Sequence, residues 1–390
     1  MENKFIGLSV PNLSLDILDN LKECIETGWV STGGKFITEF EKKMANYVGV
    51  NDAVSIQSGT AGLHTALRVL GVDNSDEVIV PTLTFIAAVN PVKYLGANPV
   101  FMDCDESLNM NVDKLERFCK EECELRENNL VNKKTGRKIK AIVVVHVFGN
   151  MANMEKITNI AKKYKLKVLE DATEALGTYY TEGKYKGKFA GTIGDMGVYS
   201  FNANKIITTG GGGMVVSNNQ SLLDEVRFLS VQAKTDSLYF VHNEIGYNYR
   251  LTNLQAALGV DQIDRLEEFI NTKIKNYSYY KEEIEKIEGL ELLPFNKGIR
   301  ANHWFYSIIV NKDKYGIDRD ELLTKLNNIN IQTRPLWRLI HKQKPYQNSE
   351  TYEINRADYF EENLINIPCS SNLTTKEVET VIDKLKQFRG

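Results

Sequence analysis

The sequence predicts an α/β fold with a mostly parallel central sheet, followed by a smaller C-terminal α+β domain. Three observations predict it. Short apolar runs of strand length alternate with amphipathic helical stretches from residue 53 to residue 171, and strands separated by helices pair in parallel and are buried on both faces. At 390 residues the chain is long enough for a large core and about two domains. Near residue 265 the alternation gives way to long helices, an isolated strand and a terminal helix, which divides the chain into domains 1–264 and 265–390.

The elements follow in order. Residues 16–27 place Ile17, Leu18, Leu21 and Ile25 on one helical face, ended by Gly28. A second helix over 36–47 carries Phe40, Met44 and Tyr47. Residues 53–56 are a strand, 57–62 a turn and 63–70 a helix, the start of an α/β unit. Strands follow at 77–81, 99–103, 141–146 and 167–171, with helices at 85–94 and 154–164. Between Cys119 and Lys140 the chain turns polar and reads as an excursion over the surface. Residues 196–201 form an apolar strand, 254–270 and 274–287 are long periodic helices, 304–310 is a strand, and 319–327 and 375–388 are helices.

Composition excludes several function classes. Apolar residues make up 42% of the chain and charged residues 25%, ordinary for a globular protein. A net charge of -3 gives no electrostatic case for nucleic acid or an acidic membrane, so a phosphorylated ligand needs a local site. No run approaches the ~20 apolar residues of a spanning helix, and the first seven residues lack the apolar core of a signal peptide; a cytoplasmic protein is expected. The five cysteines, Cys24, Cys104, Cys119, Cys123 and Cys369, are scattered. Cys119 and Cys123 are expected on one face of a charged helix, but no histidine or second pair completes a metal site, so no metal is expected.

Three features of the first domain suit one ligand. Ser58-Gly59-Thr60 follows a strand and opens a helix, where free N–H groups and two hydroxyls can hold a phosphate, although such turns also serve simply as helix caps. Asp171 ends an apolar strand, where ligands of open α/β sheets bind; it can cap the next turn or pair with a cationic heteroaromatic nitrogen. Lys205 stands between the strand ending near Ser200 and the run Gly210 to Gly213, with few charged neighbours. An amine among small and apolar residues loses hydration of its charged form and becomes a usable nucleophile toward a carbonyl, unless it merely closes a loop. Phosphate turn, strand-end aspartate and lysine together are what pyridoxal 5'-phosphate requires.

Seven blocks in order then carry a resemblance: Gly28-Trp29-Val30-Ser31-Thr32-Gly33, Ser58-Gly59-Thr60-Ala61, Val80-Pro81-Thr82-Leu83-Thr84-Phe85, Val145-His146-Val147-Phe148-Gly149, Glu170-Asp171-Ala172-Thr173-Glu174-Ala175-Leu176-Gly177, the stretch around Lys205, and Gly246-Tyr247-Asn248-Tyr249-Arg250-Leu251-Thr252-Asn253. Over nearly its whole length the chain resembles the DegT-type nucleotide-sugar aminotransferases, enzymes of the fold-type I, aspartate aminotransferase-like class. The resemblance implies that Lys205 tethers the cofactor and acts as general acid and base, that Asp171 meets the ring nitrogen, and that Phe85 stacks on the ring. It places Ser58, Gly59, Thr60 and Ser200 on the phosphate, Glu174, often a glutamine in the family, on the ring's hydroxyl side, and Asn248 and Arg250 on the phosphate of a neighbouring subunit in a homodimer. The donor is most often glutamate. The insertion Asn132-Lys133-Lys134-Thr135-Gly136-Arg137, the stretch Thr333-Arg334-Pro335-Leu336-Trp337-Arg338 and His341 resemble the legionaminic acid branch, whose substrate is a UDP-linked 2-acetamido-4-keto-6-deoxy hexose. There Arg334 and Arg338 would face the nucleotide diphosphate or a substrate carboxylate, if they are not surface arginines, and His303 would line the sugar pocket, if it is not a core histidine.

Other readings have weaker support. A sugar dehydratase of the same fold would replace the lysine with histidine or add clustered cysteines for an iron–sulfur site. A non-catalytic regulatory homologue would have lost Lys205 or Asp171. A nicotinamide dehydrogenase would need a dinucleotide fingerprint, which Gly210 to Gly213 does not match.

Overall fold

The computed structural model describes residues 4–236 and 238–389. A ten-stranded sheet runs in the order Asp52–Ile56, Gly213–Ser217, Met196–Ser200, Lys167–Asp171, Lys138–Val145, Asp76–Pro81, Asn98–Met102 and Glu350–Tyr352, with the hairpin Cys123–Arg126 and Asn129–Asn132 paired beside Lys138–Val145. Pairing is parallel from Met196–Ser200 through to Glu350–Tyr352, and Gly213–Ser217 is antiparallel to both of its neighbours. The parallel strands are buried at nearly every position because helices cover both faces. Val54, Val80, Val143 and Val198 pack into the larger core, and Ile79, Val100, Ile142 and Val168 into a second core with Phe118 and Ile157 on the opposite face.

Several elements differ from the expectation for physical reasons. The helix expected over 85–94 is a short 3-10 turn, Ile86–Ala88, followed by a helix at Asn90–Tyr94, because Pro91 has no N–H to continue the ladder and sits instead at the start of the second piece. The polar stretch after Cys119 is a hairpin whose two-residue turn, Glu127-Asn128, has both φ positive, at 46° and 68°. Cys123 therefore lies on a strand and not on the helix Val112–Glu121 that carries Cys119, and the expected shared helical face does not exist. The break between the long helices falls at Arg265, between Asn253–Asp264 and Leu266–Ile284.

A four-stranded antiparallel sheet, in the order Leu290–Leu292, Tyr306–Val310, Leu364–Ile367 and Arg334–Pro335, accompanies the helices Arg319–Asn328 and Thr375–Gln387. Chain crossings tie it to the large sheet. The Ile6 backbone exchanges hydrogen bonds with Asn330 and Gln332 (both 2.9 Å), and Glu350–Tyr352 returns to the large sheet's edge.

Candidate active site

The carboxyl ends of the parallel strands open into a cavity of about 370 Å3 lined by Ser58, Gly59, Thr60, Phe85, Asp171, Glu174, Ser200 and Lys205. Eight residues expected at one site from four separate stretches of sequence thus meet. Topology explains this: Asp171 and Ser200 are the last residues of two adjacent parallel strands, and Phe85 follows the end of another.

Ser58 is the N-cap of the helix Gly59–Val69, and its hydroxyl accepts the Ala61 N–H at 3.1 Å. Capping leaves the N–H groups of Gly59 and Thr60 without intrahelical partners, so the cap and an anion site are here one structure. Gly213 is packed against this turn: an added Cβ would sit 2.8 Å from the Ser58 carbonyl and the Gly59 nitrogen. Gly212, at φ 153°, and Gly211 complete that wall.

Asp171 is buried, and its Oδ1 accepts the Thr173 N–H at 3.1 Å. The Thr173 side chain is a second hydrogen-bonding neighbour of this carboxyl, and the residue lines the cavity. Burial holds this carboxyl above its ordinary pKa, against the opposing influence of Thr173, Lys205 and His146. Behind it, buried His146 accepts the Ala152 N–H on Nδ1 at 3.1 Å, so Nε2 is the nitrogen that donates to Glu170, at 2.9 Å.

Glu174 Oε2 accepts the Phe148 N–H at 2.9 Å, and Oε1 lies 3.7 Å from Lys205 Nζ. Burial raises the Glu174 carboxyl to about 7. Lys205 sits on the turn after Ser200; its backbone N–H donates to the Asn202 carbonyl at 3.0 Å. Burial lowers the pKa of its amine, with Glu174 and Asp171 opposing. Two buried carboxylates and one amine thus share a single cavity.

Trp304, Trp337 and Asn204 also line the cavity and were not anticipated as site residues. Two of the three tryptophans of the whole chain converging on one cavity is the signal that composition could have offered. Trp337 packs on Phe148 with ring centroids 4.8 Å apart.

Other expected residues lie elsewhere. His303 is turned away from the cavity, between Phe295 (4.1 Å) and Tyr277 (4.5 Å), where burial lowers its pKa to about 3, so it is a neutral packed ring. The Arg250 guanidinium donates to Glu41 Oε1 at 2.6 Å and to the Ser55 carbonyl at 3.3 Å, within its own chain. Asn248 is exposed and outside its own chain's cavity. Arg334 and Arg338 are exposed on either side of Trp337, and neither forms an ion pair among the described residues. His341 is hydrogen-bonded through Nδ1 to Thr82 Oγ1 at 2.6 Å and does not line the cavity. Lys134, Thr135 and Arg137 of the insertion border a separate cleft with Glu77, Asn98 and Glu350, at the amino-terminal edge of the sheet. That edge is opposite the cavity, which removes the insertion from contact with a sugar bound in the same subunit.

The model of the DegT/DnrJ/EryC1/StrS aminotransferase family matches residues 11–386. The chain belongs to this family. Among its relatives, the GDP-perosamine synthase of Escherichia coli O157:H7 is 36% identical over 387 residues, covering 99% of each chain. EpsN of Bacillus subtilis, assigned to the pyridoxal phosphate-dependent aminotransferases, is 34% identical and covers 98% of this chain and 95% of its own. A crystal structure of a family member from Brucella abortus superposes with a TM-score of 0.86 at 26% identity, covering 96% of this chain and 95% of that one. As an aminotransferase of this family, the chain is an enzyme.

Proposed function

We propose that this enzyme moves an amino group from an amino acid, glutamate by preference, to C4 of a 4-keto-6-deoxy sugar carried on a nucleotide. The cofactor is pyridoxal 5'-phosphate. The observation that carries the reading is the meeting, in one cavity, of the Gly59 and Thr60 N–H groups left without intrahelical partners, the buried Asp171 carboxyl and the Lys205 amine. That donor set fits the cofactor: a phosphate has N–H donors and the Ser58, Thr60 and Ser200 hydroxyls, a ring nitrogen has a carboxylate, and an aldehyde has an amine within a water-poor wall.

When bound, the cofactor supplies an electrophilic carbon and a ring that delocalises the electrons left by a departing proton. The chain does the rest. Asp171 Oδ2 would hold a proton on the ring nitrogen; the Lys205 amine would bond the aldehyde carbon and, once displaced by the donor's amine, carry a proton from the donor's α carbon. Phe85 would cover one ring face, and Glu174 would lie toward the ring hydroxyl.

Residues 1–264 would form the cofactor-binding unit and 265–390 a smaller unit that brings Trp304 and Trp337 over the cavity. A cytoplasmic homodimer with shared sites completes the reading. Leu15, Leu18, Trp29, Tyr239, Phe240 and Ile245 are all more than half exposed, and such apolar surface suits a subunit interface. Asn248 would reach the partner's phosphate, whereas Arg250, held by Glu41, would brace the segment. Arg334 and Arg338, free beside Trp337, would face the diphosphate.

The finer reading is a UDP-linked 2-acetamido-4-keto-2,6-dideoxyhexose as acceptor. A GDP-linked 4-keto sugar is the second reading, favoured by the GDP-perosamine synthases among the relatives. Glutamate and the purified enzyme, offered UDP-, GDP- and dTDP-linked 4-keto sugars, should yield an amino sugar detected by mass with one of them. Absence of product with all three, alongside turnover of a non-nucleotide keto acid, would refute the reading.

A further inference from the structure

Trp304 lines the cavity just before the strand Tyr306–Val310, and its surroundings tie it to both Lys205 and Glu174. The Lys205 Nζ lies 4.0 Å from the centre of the indole ring. The indole N–H donates to the carbonyl of Asn204, the residue just before Lys205, at 2.9 Å. At the other end, the Trp304 backbone N–H donates to Asn302 Oδ1, and Asn302 Nδ2 donates to the carbonyls of Glu174 and Leu176, each at 2.9 Å. Asn302 is itself locked: it is fully buried, and a Cβ added at Gly149, whose φ is 86°, would meet its Oδ1 at 1.9 Å. The ring is therefore fixed relative to the turn carrying the amine and to the segment carrying the carboxylate.

We propose that Trp304 is a positioning residue for Lys205, a seat whose π face holds the amine beside Glu174 and favours its ammonium form whenever the amine is not bonded to the cofactor. A ring face attracts a cation most strongly where water is excluded, and Trp304 is 2% exposed. The other ionisable groups around the amine are Glu174 at 3.7 Å, Asp171, and Lys273, which shares a small void with Lys205 and donates to the Cys369 carbonyl. Burial pushes the amine toward its neutral form, and the ring opposes that push. The inference rests on the role given to Lys205 above, but its test does not need the cofactor.

The test is competitive acetylation of cofactor-free protein across pH, with the Lys205 peptide read by mass spectrometry, in Trp304→Phe and Trp304→Leu. Both variants lose the N–H bond to Asn204, so their difference reads the ring face alone. The Lys205 midpoint should lie about one pH unit lower in Trp304→Leu than in Trp304→Phe, roughly tenfold in the fraction of free amine. Equal midpoints would overturn the proposal. Should Trp304→Leu not fold, the wild-type protein still decides: its tryptophan emission should titrate with the same midpoint as Lys205 acetylation, and Lys205→Met should abolish that step. Emission that titrates identically in Lys205→Met would overturn the proposal, while adduct formation at Lys205 would remain a separate question.

Discussion

At the scale of residues, proton bookkeeping among Asp171, Glu174 and Lys205 decides the chemistry. Asp171 offers a ring nitrogen a buried carboxyl at the end of its strand, so Asp171→Asn should still bind the cofactor but lose turnover by about 10²-fold or more, a loss read in single-turnover rates. Glu174 is a carboxyl whose pKa in the fold is raised by burial to about 7, from 4.5. Such a group binds its proton more tightly folded than unfolded. Its stability contribution is fully present below about 4.5 and is lost as pH rises through about 7. In cofactor-free protein Glu174→Gln should therefore gain in thermal midpoint over wild type from pH 5 to pH 8; a constant difference over that range would remove the ionisation assigned to Glu174.

At the scale of elements, the site depends on close approaches that only glycine permits. Gly213 lets the strand Gly213–Ser217 pass against the Ser58 turn, with backbone atoms 2.8 Å from where a Cβ would stand. Backbone cannot yield as a flexible side chain can, so Gly213→Ala should cost about 1–3 kcal/mol in denaturant unfolding and weaken cofactor binding in an absorbance titration. The parallel strands were legible because burial on both faces writes an unbroken apolar run, as in 141–145, and Lys167–Asp171 and Met154–Tyr164 fall where the pattern put them. The hairpin at Cys123–Asn132 was illegible because it pairs at the sheet margin, exposing Leu125 and Arg126, and turns on Glu-Asn in place of the usual Asn-Gly. Four separate stretches of the site were readable in order, since each carries a chemically committed residue. Trp304 was not, because its indole is held by the Asn204 carbonyl, a partner defined only by the fold. His303 misled for the complementary reason: a left-handed φ of 53° turns it from its neighbour's direction into an aromatic cluster.

At the scale of the molecule, Asn248 is exposed and away from its own cavity, and the proposed homodimer would make each site a product of two chains. Lys205→Ala and Asn248→Ala homodimers should each be impaired, Lys205→Ala completely and without loss of fold by circular dichroism. Equal mixing and refolding should then restore about a quarter of wild-type activity, because half the dimers are hybrids with one intact site each. No recovery on mixing would assign Asn248 to its own chain. The cleft bordered by Lys134 and Arg137 lies at the far edge of the sheet, so Arg137→Ala should leave kcat/KM for the nucleotide sugar unchanged. All of this presupposes that Lys205 is the residue that bonds the cofactor. The direct measurement is borohydride reduction of the loaded enzyme followed by peptide mass mapping: the adduct should sit on Lys205, and an adduct on any other lysine would contradict the account.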